Sequence, residues 1–461
     1  MTKKILPNPA LLRPPLPLPR PLAVDILNRV EMDGAFAEHL LDQTLSRNLV
    51  TDERDRRLLT ELVYGTLRME GYLDWFIEQY YQGGIRTLEP LVRNTLRTAL
   101  YQRFFTERIP DFAIVNEAVE LVKKALPQRA ALINAILRNI MRRHDIPPRP
   151  EMEESSPEFI AIVYSHPLWL VRRWCKLLGP QETMALCRAD NQIPPIFVRV
   201  NNLAASRETV ISGLALDGFM AKETEYSPDG LQVGARQGIP LRETTCYQNG
   251  FFHIQDEASQ MIARLVAPKG GHEILDLCAG VGGKATHLAE IMGNQGRIIA
   301  VDINKKKLEA LKALTANLGI RIVEPFAGDG QRELGTSFHG RFDRVLVDAP
   351  CSGTGTLRRA PEIKWRFQTR DIAPAAALQA NILERAASYV KKRGWLVYAT
   401  CSLLTAENEA VVRAFLETHK AFSLIRPEDI PSGLLDQEGY FKTYPHRHGT
   451  DGFFGAVMVR K

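Results

Sequence analysis

Leu275-Asp276-Leu277-Cys278-Ala279-Gly280-Val281-Gly282-Gly283-Lys284 joins an apolar strand pattern to a helical one through a glycine-rich turn. Gly280-x-Gly282-x-x-Ala285 follows the predicted strand Glu273–Leu277 and opens the predicted helix Lys284–Met292. Asp302 ends the next predicted strand, Arg297–Val301, about twenty residues on, the spacing of a nucleotide-binding βαβ unit. Glycines there let the backbone approach a ligand, and the acidic residue accepts hydrogen bonds from ribose hydroxyls. A dinucleotide and S-adenosylmethionine share that ribose, so the turn alone admits either.

Outward from the turn, strands and helices continue to alternate. Further strands are predicted at Arg321–Glu324, Arg344–Asp348, Trp395–Thr400 and Gly455–Arg460, and further helices at Lys305–Leu318 and Ile372–Lys392. Such alternation predicts a parallel sheet flanked by helices. Ligands bind outside the carboxyl ends of strands in open α/β sheets. Two cysteines fall there: Cys351 in Asp348-Ala349-Pro350-Cys351-Ser352-Gly353, and Cys401 in Ala399-Thr400-Cys401-Ser402. Asp329, in Gly328-Asp329-Gly330, follows the third strand and is a candidate acceptor for an adenine amino group; a turn-forming role beside glycine is the alternative. Lys284 stands where the helix dipole disfavours a cation, which points to a ligand role, with an ordinary first-turn surface lysine as the equal alternative.

Two thiols beside one carboxylate suit addition chemistry on a pyrimidine. Carbon 5 of cytosine is a poor nucleophile until a thiolate adds to carbon 6. The ring then resembles an enamine and attacks a methylsulfonium. A carboxyl group near nitrogen 3 stabilises the developing charge, and a base removes the carbon 5 proton so that the enzyme is released. Cys401, Cys351 and Asp348 can fill these three roles once the nucleotide is swung out of its stack. The plainer alternative is two small buried hydrophobes, the usual fate of free cysteine. Cys175, Cys187 and Cys246 lack this context and are expected to be structural, while Cys278 contributes backbone to the turn.

With 461 residues the chain is too long for a single core. Its net charge of +6 is a mild basic bias that favours a nucleic-acid partner only weakly. Six cysteines, none spaced Cys-x-x-Cys, argue against a zinc ribbon or a disulfide framework, so no metal is expected and the chain reads as cytoplasmic. No apolar run approaches the ~18 residues of a membrane span. The expected organisation is a proline-rich leader over 1–21, a helical domain over 22–146, a small α/β connector over 151–250 and an α/β catalytic domain over 251–461. The helical part shows Ala23, Ile26, Leu27 and Val30 at helical spacing, a helix start at Thr51-Asp52-Glu53, and a break at Pro147-Pro148-Arg149-Pro150.

These residues resemble the RNA cytosine-5 methyltransferases. The resemblance is carried by the block Leu275 to Lys284, by Asp348 to Gly353 and by Thr400-Cys401-Ser402. Further matches are Gln255-Asp256-Glu257-Ala258-Ser259, Arg358-Arg359-x-Pro361-Glu362-Ile363-Lys364-Trp365 and the tail Pro445 to Phe454. Glu61 to Arg68, Asn116 to Glu120 and Asn134 to Arg138 resemble the NusB-like RNA-binding domain of the branch that modifies bacterial small-subunit ribosomal RNA. The resemblance implies a multi-domain α/β protein: a C-terminal Rossmann-like S-adenosylmethionine methyltransferase fold, an N-terminal all-helical NusB-like domain and a small α/β connector.

It also implies Cys401 as the thiol that attacks carbon 6 and Cys351 as the one that assists release. Cys278, Ala279, Gly280, Val281, Gly282, Gly283, Lys284, Asp302, Asp329 and Asp348 would line the S-adenosylmethionine site. The turn departs from the family's frequent Ala-Ala-Pro-Gly-Gly-Lys in lacking the proline. The implied substrate is a cytosine of 16S rRNA, cytosine 967 by resemblance. The alternatives are another RNA cytosine, in tRNA or elsewhere in rRNA, an NAD-type dehydrogenase, or an RNA-binding assembly factor without turnover. RNA is the expected partner, with no membrane and no protein partner. Arg358, Arg359 and Lys364 are expected to grip the RNA backbone beside the target base. Arg93, Arg97, Arg103, Lys123, Lys124, Arg138, Arg142 and Arg143 are expected to form a phosphate-tracking face, or else a solvated charged one.

Overall fold

The computed structural model describes residues 19–47, 49–106, 109–234 and 239–461. The chain divides into two compact units: Met1–Asn191 with Ala360–Trp365, and Gln192–Arg359 with Arg366–Lys461. The leader predicted for 1–21 lies, through residue 18, outside the described residues, and Pro19 to Pro21 form the first turn of a helix.

The first unit is helical. Helices Pro19–Met32, Glu53–Arg68, Pro90–Phe105, Asp111–Ala125 and Ala130–Arg143 surround one apolar core. Ala23, Ile26, Leu27, Val30, Leu62, Leu67, Leu96 and Leu100 are buried in it, as their spacing predicts. Asp52 caps the second of these helices, its Oδ1 accepting from Arg54 N (2.8 Å) and Asp55 N (3.2 Å). Arg93 and Arg97 do not face solvent. Arg93 Nη1 donates to the Leu88 carbonyl (2.9 Å), and Arg97 donates through Nε and Nη2 to both oxygens of Asp74 (2.6 Å each). The expected phosphate-tracking role is therefore wrong for these two: a buried guanidinium must be paired internally. Arg138, Arg142 and Arg143 do stand exposed, on the helix that ends at Arg143.

Residues 151–250, expected as one connector, carry elements of both units. Helices Pro157–Val163, Leu168–Leu178 and Pro180–Asp190 belong to the first unit. The Pro147–Pro150 break interrupts the backbone there without ending the packed unit. The second unit opens instead on a four-stranded antiparallel sheet. Its strands are β1 (Ile196–Val200), β2 (Ala221–Glu223), β3 (Gly230–Val233) and β4 (Phe252–Ile254), in the order β2-β3-β1-β4.

The large sheet contains β5 (Glu273–Asp276), β6 (Arg297–Asp302), β7 (Val323–Ala327), β8 (Phe342–Asp348), β9 (Val390–Thr400), β10 (Phe422–Ile425), β11 (Phe441–Lys442) and β12 (Phe454–Arg460). Its order is β10-β12-β9-β8-β5-β6-β7, with β11 on β12. Strands β5 to β9 run parallel to one another, whereas β12 runs antiparallel to β9 and β10. The C-terminal strand thus departs from the all-parallel expectation. It enters the edge as an antiparallel pair with β10, a strand the sequence reading passed over.

Both faces of the sheet are covered, so its strands read as continuous apolar runs. Ile274, Ile298, Ala300, Leu346 and Val397 fill the core on one face, and Leu275, Ile299, Val345, Val347 and Leu396 the core on the other. The chain leaves β5 for β6 on one side, while β5's other neighbour, β8, is reached only after β7. Strand order reverses at that point, the place where open α/β sheets bind ligands outside the carboxyl ends of their strands. No helix among the described residues is long and apolar enough to cross a membrane.

Candidate active site

The glycine turn leaves β5 at this reversal. Gly280 (φ +59°) and Gly282 (φ +91°) adopt the left-handed region, and a Cβ at Gly282 would come within 2.7 Å of Leu311. Only glycine fits the second position. The turn lacks the family's proline but is pinned by three bonds. Ala279 N donates to the Val301 carbonyl (2.8 Å), Gly282 N to the Ala279 carbonyl (2.9 Å) and Gly280 N to Asp302 Oδ2 (2.9 Å). The other oxygen of Asp302 accepts from Asn304 N (2.7 Å). Each oxygen has a second lone pair to offer a hydroxyl. Cys278 is half-buried, and burial pushes its thiol up, so it contributes backbone here and no nucleophile.

A second support for the turn comes from a residue the sequence reading missed. Arg199, on β1, is fully buried and donates to Glu290 through Nε and Nη2 (2.8 Å each) and to the Gly283 carbonyl (2.6 Å). Removing one partner of a buried ion pair strands the other charge. Arg199→Met is therefore expected to destabilise the protein by about 3–5 kcal/mol, read as a lower denaturant midpoint.

Lys284 is no surface lysine. Its Nζ donates to Asp348 Oδ2 (2.7 Å) and lies 5.2 Å from the centroid of the Phe453 ring. Burial works against its charge, but Asp348, followed by the sulfur of Cys401, outweighs it and holds the ammonium above its ordinary range. Burial also pushes Asp276, beneath the turn, up to about 7. Asp329 Oδ1 accepts from Gln331 N (3.0 Å), so the turn-forming role holds, with the carboxylate at the same sheet edge.

The two thiols meet. Cys351 Sγ lies 3.3 Å from Cys401 Sγ, one sulfur after β8 and the other after β9, and both residues are partly exposed. At that distance the two thiols share one environment. The Cys401 hydrogen bond, then burial, then the negative charges of Cys401 and Glu407 push the Cys351 thiol well above its ordinary range. Lys284 supplies positive charge on the Cys401 side.

Glu407, six positions past Cys401, was also missed. It is fully buried, and it accepts from Ser352 and Ser402, the residues that follow the two cysteines. Nothing local in Thr405-Ala406-Glu407-Asn408 marks it; the only signal is its closeness in sequence to Cys401.

The expected backbone-gripping group fails as a group. Arg358 is buried and donates to Asp451 Oδ1 (2.9 Å). Arg359 donates to Asp451 Oδ2 (2.7 Å), Asp256 Oδ2 (2.7 Å) and the Pro195 carbonyl (3.2 Å). Lys364 lies buried in the helical unit and donates to Asn191 Oδ1 (2.7 Å) and to the carbonyls of Arg68 and Ser165 (3.3 Å each). Burial drops its ammonium to about 8. These cations are spent on internal acceptors.

Comparison with known proteins agrees with this geometry. A model of the 16S rRNA methyltransferase RsmB/F family matches residues 263–459, the NusB family matches 18–142, and the ferredoxin-like domain of RsmF/B-like methyltransferases matches 166–239. The chain is 35% identical to a probable ribosomal RNA small subunit methyltransferase B of Bacillus subtilis (strain 168), over 96% of this chain and 98% of that one. It is 34% identical to the ribosomal RNA small subunit methyltransferase B of Escherichia coli O6:K15:H31, over 96% and 98%. The crystal structure of PH0851 superposes with a TM-score of 0.83 at 30% identity, over 97% of this chain and 99% of that one. The fold and the paired-thiol edge define a nucleotide-cofactor methyltransferase. The chain belongs to the RNA cytosine-5 methyltransferase family, in its ribosomal RNA small subunit methyltransferase B branch.

Proposed function

We propose that this chain methylates carbon 5 of a cytosine in 16S rRNA, in the cytoplasm, through a covalent bond between Cys401 and carbon 6. The observation that carries the reading is the 3.3 Å approach of the two sulfurs at a strand edge shared with the Lys284–Asp348 pair. The residues present fit S-adenosylmethionine. Asp302 offers acceptors for a ribose diol, and the apolar side chains of Val281 and Ile303, 50% and 72% exposed, flank it with surface that an adenosyl group would cover. When bound, S-adenosylmethionine supplies an electrophilic methyl group on a sulfonium.

Cys401 Sγ adds to carbon 6 of the flipped base and drives the ring's electron pair onto carbon 5, which takes the methyl group. Asp348 faces the base edge and accepts from its exocyclic amino group, while the Lys284 ammonium paired with it offsets the negative charge gathering on the ring. Cys351, its own thiol proton first released to solvent, accepts the proton from carbon 5, so that one proton leaves per turnover. The carbon 6–sulfur bond then breaks, and the double bond returns.

RNA binding has support in the first unit. A groove of about 660 Å³ between helices Asp111–Ala125 and Ala130–Arg143 is lined by Phe112, Lys123, Asn134, Arg138 and Arg142. Phe112 is 77% exposed, and an aromatic face among cations suits single-stranded RNA. The dehydrogenase reading has no use for two converging thiols, and an assembly factor without turnover has no need of them.

Bisulfite mapping of rRNA from cells with and without the gene tests the reaction, the substrate and the position together. One protected cytosine of 16S rRNA, expected at position 967 from the family resemblance, should disappear in its absence. An unchanged 16S map with a lost tRNA signal would replace the substrate and leave the chemistry standing.

A further inference from the structure

Both cysteine loops end on one carboxylate. Glu407 Oε2 accepts from Ser352 Oγ and from Ser402 Oγ (2.5 Å each). Glu407 Oε1 accepts from Ser352 N and from Gln379 Nε2 (2.9 Å each), and the same Gln379 amide donates to the Pro350 carbonyl (2.9 Å). Three of these bonds come from the residue after Cys351 or Cys401, and the fourth comes from Gln379, which itself holds Pro350. The remaining contacts close the same ring. Ser352 Oγ and Ser402 Oγ lie 3.0 Å apart, Leu403 N donates to Thr354 Oγ1 (2.9 Å), and Gly355 N donates to the Cys401 carbonyl (2.9 Å). A carboxylate removed from water is tolerated only when its lone pairs are filled, and here four donors fill them. Such a group has one geometry, and the two loops inherit it.

We propose that Glu407 is the positioning residue of the thiol pair: a single buried carboxylate, bonded to the residue after each cysteine, sets the separation and mutual orientation of Cys351 and Cys401. Its consequence for turnover rests on the methyl-transfer reading. Its consequence for geometry does not. The carboxylate also adds to the forces that keep the Cys351 proton in place before reaction, after the Cys401 hydrogen bond, burial and the charge of Cys401. Glu407 touches neither substrate nor cofactor in this account and acts through the serines.

Two measurements separate geometry from function. Diamide oxidises two adjacent thiols to a disulfide, taking up two electrons and two protons as its N=N bond is reduced to a hydrazine. At 3.3 Å the wild-type pair should cross-link rapidly, and peptide mass spectrometry would follow the 351–401 linkage. Glu407→Gln keeps the shape and loses the charge, while the double variant Ser352→Ala/Ser402→Ala keeps the charge and loses both hydroxyl bonds. Each is expected to cross-link at least about 10-fold more slowly. In each, kcat should fall by about 100-fold, the scale of an ångström of misplacement, while KM for RNA stays within about two-fold. Near-UV circular dichroism confirms that the compared variants are folded. If Glu407→Gln does not fold, the serine variant decides the matter. Cross-linking at the wild-type rate in the folded variants overturns the proposal, whatever their turnover. Slowed cross-linking in an enzyme whose wild type makes no 5-methylcytosine would leave the positioning role standing and remove the methyl-transfer reading instead.

Discussion

Cys401→Ala is expected to abolish 5-methylcytosine formation, a loss on the order of 10⁴-fold or more, as for other single catalytic nucleophiles. Binding of S-adenosylmethionine should survive, because the turn is held by Asp302, Arg199 and the Val301 carbonyl and by no bond to Cys401. The Cys401 assignment follows the family resemblance, in which the thiol of the Thr-Cys-Ser block attacks carbon 6. Cys351 is loaded against ionisation by its hydrogen bond to Cys401, by burial and by the charges of Cys401 and Glu407. Tritium transfer from labelled cofactor to rRNA measures the effect. Equilibrium dialysis of the cofactor separates lost chemistry from lost binding. Ordinary turnover in this variant would refute the nucleophile assignment.

Cys351→Ala should behave differently. The first thiol still adds and the methyl group still transfers, but the carbon 5 proton has lost its acceptor, so the carbon 6–sulfur bond persists. The expected result is one equivalent of RNA retained on the protein through SDS electrophoresis, with multiple turnover down by at least about 100-fold, the usual worth of a general base. Adding Cys401→Ala to this variant should remove the band. Free RNA and full activity in Cys351→Ala would give Cys351 a structural role only. An adduct that instead requires Cys351 would exchange the two roles.

The arrangement explains why sequence patterns carried so far in one half of the chain and misled in the other. The glycine turn, Asp302 and both cysteines are defined by local signals: a strand's apolar run, a turn that only glycine fits, and the position just past a strand end. Each was legible because the large sheet turns those local positions into one edge. The basic residues carried no such signal. Arg358 pairs with Asp451, Arg97 with Asp74 and Lys364 with Asn191. An arginine bound for an internal carboxylate looks, in sequence, the same as one bound for a phosphate. Surface assignments from charge alone therefore failed for Arg93, Arg97, Arg358 and Lys364, while Arg138, Arg142 and Arg143 remained outside.

The amino-acid sequence alone determined the class of fold, the place of the glycine turn and the strand-end positions of the two cysteines, because strand period, turn chemistry and motif spacing are properties of neighbouring residues. Only the tertiary structure decided that the two sulfurs meet, that one buried glutamate joins their loops, and that Lys284 pairs with Asp348. Burial and long-range pairing create those differences, and neither exists until the chain has packed.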